Sequence, residues 1–246
     1  MNEALVTTLK YLHLGGLLDH WDEVLELARQ QDFSHQRLLE HVLEQECRIK
    51  REHARQIRFK QARIPELLLL ETYPYARQPQ LSKKLVLSLY DSLDYMTKTQ
   101  NILWIGPTGC GKTGLATSFL IHAIEEGFSG RFVLFPELIE ELFRSVADHS
   151  EASVMRRYLS CDCLLIDELG YVEVEPLQVG LFFTLMHKRH KKKTTLVTSN
   201  LGFSEWRSFL KNDHLTAALI DRLTDNSHVI NMKKCRSLRD SVSSEP

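Results

Sequence analysis

Residues 101–113 read NILWIGPTGCGKT: an apolar β-rich run to Gly106, a turn punctuated by glycine, then a lysine and a threonine. The last eight residues satisfy G-x-x-x-x-G-K-[ST], and Leu115, Phe119, Leu120 and Ala123 follow at helical spacing. A strand, a glycine turn and a helix in that order make a cradle for phosphate. Gly106, Gly109 and Gly111 let the backbone fold back so that its N–H groups point inward, and the helix adds the positive end of its dipole. Pro107, Thr108 and Cys110 complete the loop. Lys112 supplies a point charge for the β and γ phosphates of ATP, and the Thr113 hydroxyl is a ligand for Mg²⁺.

Outward from this loop, short β-rich runs alternate with helical ones, the pattern of an α/β domain with a parallel sheet. The expected strands are 101–106, 131–135, 163–167, 194–199 and 228–232. Leu138, Leu142 and Val146 mark a second helix, and Leu177, Leu181 and Leu185 a third. The run CLLIDEL delivers Asp167 and Glu168 at the carboxyl end of a buried strand, the edge at which open parallel sheets bind ligands. Asp167 suits Mg²⁺, directly or through another ligand, and Glu168 suits polarising the water that attacks the γ phosphate. Asp167 to Gly170 also spells the D-x-x-G of GTPases, but no N-K-x-D element follows to select guanine. The strand 194–199 runs instead into Asn200, which could hold the attacking water. Arg222, late in a helix marked by Leu215, Leu219 and Leu223, either pairs with Asp221 or Asp225 or reaches a neighbour's γ phosphate as an arginine finger.

Upstream of the sheet pattern the chain reads as helical. Leu14, Leu17, Leu18, Trp21, Leu25 and Ala28 recur at helical spacing. Ser34 can cap a further helix running to about Ala62, with an apolar face at Leu38, Leu39, Val42 and Leu43. Pro65, Pro74 and Pro79 then interrupt the chain. The expected domains are therefore 1–64, helical, for DNA or partner binding and oligomerisation; 65–80, a linker; 81–240, the nucleotide domain; and 241–246, a flexible tail.

The net charge of −1 over 246 residues hides opposed blocks. Residues 1–46 set Lys10, Arg29 and Arg37 against nine acids, whereas residues 47–63 set seven Lys or Arg against Glu52 alone. Arg48, Arg51, Arg55 and Arg58 fall at spacings that put all their guanidinium groups on one helix face, which suits the backbone of duplex DNA. The run KRHKKK at 188–193 reads as a solvated loop in a single subunit. No apolar run approaches the ~20 residues of a membrane span, and five scattered cysteines without a C-x-x-C pair argue against disulfides or zinc and for a reducing, cytoplasmic setting. Cys110, Cys161 and Cys163 read as small apolar residues.

Taken in order, GPTGCGKT, LLIDELGY, TLVTSN, SEWRSFL and AALIDRLTDNSHVINM resemble the IstB-like transposition helper ATPases, with DnaC-type helicase loaders as relatives. The resemblance spans nearly the whole chain. It implies a P-loop AAA+ α/β domain with a parallel five-stranded sheet behind a small all-helical N-terminal domain. Asn200 would then be sensor 1 and Arg222 the finger acting in trans. It further implies ATP hydrolysis, a homo-oligomeric ring or helix on duplex DNA, and a partner transposase of the IstA type; a helicase loader or a non-hydrolysing scaffold are the alternatives. The family continues after its last strand with a G-x-S-Y-R type sequence. KKCRSLRD stands here, leaving Arg236 and Arg239 as the candidate arginines.

Overall fold

A computed structural model describes residues 1–239; the expected tail at 241–246 lies outside the described residues. The chain divides into two compact units, Met1–Ile57 and the remainder from Arg58 onward. The division falls inside a helix.

The first unit contains α1 (Glu3–Tyr11), α2 (Gly15–Asp19), α3 (Trp21–Gln30) and most of α4 (His35–Ala62). Side chains close the open helix ends as their positions require. Asn2 Oδ1 accepts the Leu5 N–H at 2.8 Å, and Ser34 Oγ accepts the Arg37 N–H at 3.2 Å. Glu46, a buried carboxylate on α4, accepts the Leu17 N–H at 2.6 Å and so caps α2. The apolar face of α4 is narrower than expected: Leu38 and Val42 are partly covered, but Leu39 and Leu43 are exposed.

The second unit continues with α5 (Lys83–Ser92), α6 (Asp94–Thr97), β1 (Asn101–Ile105), α7 (Lys112–Glu125), β2 (Gly130–Leu134), α8 (Phe135–Ala147), α9 (Glu151–Ser160), β3 (Cys163–Leu169), α10 (Pro176–Arg189), β4 (Thr194–Ser199), α11 (Phe203–Leu210), α12 (Asp213–Thr224) and β5 (Ser227–Asn231). All the strands are parallel, in the order β2-β3-β4-β1-β5. Both faces are covered, so the strands need no polar alternation, and the pleat instead sorts apolar side chains between two cores. Leu103, Ile105, Val133, Leu164, Ile166 and Val197 enter the core with α8, α9 and α10. Ile102, Trp104, Phe132, Cys163, Leu165 and Leu196 enter the other, against α7.

The expected strands all form, each within a residue or two of its expected ends. On α10, however, the buried face is Val179, Phe182, Leu185 and Met186, and Leu177 is exposed. Arg189, from the basic run expected to be solvated, is buried. Residues 65–80 are not loose chain: Leu70 and Gln78 are buried within the second unit, and short 3₁₀ turns form at Leu70–Thr72 and Tyr75–Arg77. Among the described residues no helix is long and apolar enough to cross a membrane.

Candidate functional site

β1 ends at Ile105 and the chain enters the loop 106–111. Gly109 and Gly111 stand at φ +77° and +89°, conformations that side chains with a Cβ resist. Gly106 matters for a different reason than its expected turn: a Cβ there would lie 2.7 Å from the Met232 backbone. Lys112 begins α7. Its buried Nζ donates to the carbonyls of Gly106 at 2.8 Å and Pro107 at 2.7 Å. Burial draws this ammonium below the usual lysine range, and the charge of Arg239 adds to the effect. The Cys110 thiol is buried, pushed up by desolvation, and donates to Pro107 O at 3.0 Å, which fits a small packing residue.

Two strands away, β3 brings Asp167 to Thr113, whose hydroxyl lies 3.1 Å from each carboxylate oxygen. Thr198, at the end of β4, donates to Asp167 as well and accepts the Glu168 N–H at 3.0 Å. Burial raises the Asp167 carboxyl above its ordinary value, against the hydrogen bonds from Thr198 and Thr113. Between Ile166 and Leu169 the register of β3 on β4 slips, because β3 spends one residue more than its neighbour, and Glu168 takes φ +64°. This bulge turns the Glu168 side chain out of the strict alternation that Asp167 obeys. Asn200 follows β4 directly; its Oδ1 is buried and has no hydrogen-bond partner among the described residues.

The oxygens of Thr113 and Asp167 suit a hard cation such as Mg²⁺, which takes few protein ligands and completes its shell from phosphate and water. Among the described residues, no group of three or more His, Cys, Asp or Glu is placed to hold a metal. A cavity of about 800 Å³ opens beside Thr113 and Asp167, with Arg131, Arg144, Glu137 and Glu141 on its walls.

Two segments far apart in sequence brace the loop from outside. Tyr73 donates its hydroxyl to Cys110 O at 2.8 Å, and Leu238 its N–H to Gly109 O at 2.8 Å. Gln78 ties these segments together, donating to Arg236 O at 2.6 Å and accepting the Arg236 N–H at 2.9 Å. The Arg236 side chain is exposed. Arg239 instead approaches the loop, its Cδ 3.7 Å from the position a Cβ on Gly109 would take. Sequence reasoning missed Tyr73, Gln78 and Thr198. A threonine late in a strand with the same carboxyl edge as Asp167 was a usable signal for Thr198; nothing local marks the other two.

Arg222 is not with this group. Its carbonyl lies near Asn101, at the amino edge of the sheet, and its guanidinium pairs with Asp221 and meets His187 Nδ1 at 3.5 Å. Of the two local partners considered, Asp221 is the one taken. Asp225 binds Lys191 at 2.8 Å and His190 at 3.3 Å. On α4, Arg48 and Arg51 are exposed, with Arg48 donating to Gln45 at 2.5 Å, and Arg55 pairs with Glu52 at 3.3 Å. Arg58 is half-buried and donates to Ile124 O at 3.4 Å, so it also serves the carboxyl end of α7.

A family model described as "IstB-like ATP binding protein" matches residues 7–245. The chain is 29% identical to an ATP-binding protein of insertion sequence IS21 from Pseudomonas aeruginosa, covering 94% of this chain and 86% of that one. It is 27% identical to the corresponding protein of IS232 from Bacillus thuringiensis subsp. berliner, covering 94% and 92%. Among solved structures the DnaC helicase loader superposes with a TM-score of 0.52 at 18% identity, over 61% of this chain and 87% of that one. This last likeness is one of fold: a P-loop AAA+ domain.

Proposed function

Because the chain belongs to the family of IstB-like ATP binding proteins, we propose that it is the ATPase of an insertion sequence, which assembles with copies of itself on duplex DNA and presents that DNA to a transposase. The supporting observation is the convergence of Lys112, Thr113, Asp167, Glu168 and Asn200 at the carboxyl edge of adjacent parallel strands.

Each residue then has a definite task. Lys112 exchanges its two carbonyl partners for β and γ phosphate oxygens. Thr113 and Asp167 hold Mg²⁺, which when bound screens the charge on those phosphates. Glu168, aimed by the bulge, accepts a proton from the water whose oxygen attacks the γ phosphorus as the bond to the β-phosphate oxygen breaks and ADP leaves. The buried Asn200 Oδ1 accepts a second hydrogen bond from that water and fixes its approach. Arg239 adds a cation over the phosphates within the same subunit. Arg222 lies at the opposite sheet edge, roughly 15 Å away at the rise of an extended strand, so it reaches a phosphate only in a neighbouring subunit.

The decisive experiment compares Lys112→Ala with Glu168→Gln. The first abolishes binding of a fluorescent ATP analogue. The second keeps that binding and loses turnover by 10²-fold or more. Normal hydrolysis by Glu168→Gln sinks the assignment. Pull-down of the ATP-bound Glu168→Gln protein with the transposase supports the transposition reading; retention of a replicative helicase instead moves it to a loader.

A further inference from the structure

The amino end of β2 opens onto a second cleft, of about 530 Å³, lined by Lys60, Arg63, Arg131 and Arg157, with Ser129 and Ser160 between them and no carboxylate; Arg63 and Arg131 also border the cavity beside Thr113. Edge strand, helix end and α9 each contribute to it. Lys60 comes from the last turn of α4, Arg63 from the residue that ends that helix at φ +55°, Arg131 from β2 and Arg157 from α9.

The cations are held in different ways. Arg131 lies over the Tyr158 ring, 5.2 Å from its centroid, and its Nε is buried with no hydrogen-bond partner among the described residues. Glu141 accepts from both Arg157 and the Tyr158 hydroxyl, fixing an arginine and the ring beneath Arg131 together. Lys60 and Arg63 are exposed. Burial, with the charges of Arg63 and Arg157, pulls the Arg131 guanidinium below its ordinary range. An anion in the cleft would relieve the repulsion among these cations.

The form of the cleft narrows what the anion is. No aromatic side chain lines the walls, and the Tyr158 ring lies beneath Arg131, so the cleft offers no aromatic face for a base. A free nucleotide would find no aromatic partner for its base. A phosphodiester backbone presents only the oxyanions the cleft can use.

We propose that Lys60, Arg63, Arg131 and Arg157 form a second contact for the phosphodiester backbone of DNA, on the nucleotide-binding unit itself and separate from the arginine stripe of α4. This rests on the reading of the protein as a duplex-DNA binder. The contact carries no sequence information, because cations on phosphate position DNA without reading it.

The test is a salt titration of duplex binding with ATP present, followed by fluorescence anisotropy. Lys60→Gln/Arg63→Gln removes two exposed charges without touching the packed Arg131, and its melting temperature reports that folding is intact. The control, Arg51→Gln/Arg55→Gln, removes two charges from the α4 stripe. Each phosphate contact contributes about 0.9 to the slope of log affinity on log salt. The Lys60/Arg63 variant therefore flattens the slope by about 2 per engaged subunit and weakens binding about tenfold at low salt, equally for unrelated sequences. An unchanged slope in this variant, with a reduced slope in the control, overturns the cleft and leaves the DNA reading standing. If wild-type protein binds no duplex, the DNA reading itself falls and the cleft with it. In a parallel arm, inorganic phosphate is titrated into the protein without DNA. Phosphate binding lost in the Lys60/Arg63 variant, with an unchanged DNA slope, makes this a free-anion site and overturns the proposal.

Discussion

Arg189 has its guanidinium almost wholly out of water, at 1% exposure, and gives every donor to a neutral acceptor. It reaches Tyr158 O at 2.6 Å, Cys161 O at 3.0 Å, Thr194 O at 2.5 Å and Thr195 Oγ1 at 3.1 Å, stitching the end of α9 to the starts of β3 and β4. Removing it leaves buried carbonyls unpaired, each at about 1–3 kcal/mol. Arg189→Ala is therefore expected to lose about 4 kcal/mol in urea unfolding, and Arg189→Lys most of that, because an ammonium cannot fork to so many acceptors. Glu168 makes the opposite case. Its left-handed backbone costs on the order of 1–2 kcal/mol, so Glu168→Gly, after the added freedom of the unfolded chain, is expected to gain about 0.5–1 kcal/mol while losing turnover. Urea midpoints of the two variants measured side by side check both. The placing of Lys112 and Thr113 beside the loop was legible because strand, loop and helix are local in sequence, and that of Asp167 because a buried apolar run ends in it. Arg189 was not, since its partners come from three elements and its neighbours in sequence are solvated cations.

At the scale of elements, the segments 65–80 and 235–239 act as one brace on the phosphate loop through Tyr73, Gln78 and Leu238. Gln78→Met keeps the volume but leaves the Arg236 N–H and carbonyl unpaired. It is expected to weaken ATP binding about fivefold, or roughly 1 kcal/mol, in a fluorescent-nucleotide titration, with the secondary structure unchanged by circular dichroism. Equal affinity would show that the brace holds the fold and not the loop. Ser34→Ala, by loss of its cap on α4, is expected to cost about 1 kcal/mol. The strands were readable because each is a compact β-rich run between breakers. The exposed Leu39, Leu43 and Leu177 were misplaced because periodicity finds a helix without fixing which part of a wide apolar arc meets the core. The segment 65–80 looked like a linker because its prolines exclude regular structure, which says nothing of side-chain bonds to a loop thirty residues on.

For the whole molecule, the proposed role of Arg222 as a finger, set against its distance from the loop of its own chain, ties turnover to oligomerisation. Arg222→Ala and Lys112→Ala proteins, each inactive alone, are expected to recover part of the ATPase rate when mixed, because an intact loop then meets an intact arginine across a boundary. No recovery in oligomers shown to be mixed would reduce Arg222 to its pairing with Asp221. The five-stranded sheet was legible as a class, but the strand order places β1 between β4 and β5, with partners from the far end of the chain.

That order also dictates when the protein becomes competent. Asn101 pairs with Ser227, and the neighbouring Gln100 and Asn226 are 126 residues apart. The phosphate loop is closed by Leu238, near the end of the described residues. Domains fold during synthesis from the amino end, so the early helices can form while the ribosome is still translating. The loop at 106–111, though made early, is closed only once residue 238 has been synthesised. A chain cut short ahead of β5 lacks both the strand beside β1 and the segment that closes the loop, and is expected to bind a fluorescent ATP analogue more weakly than the chain that carries them.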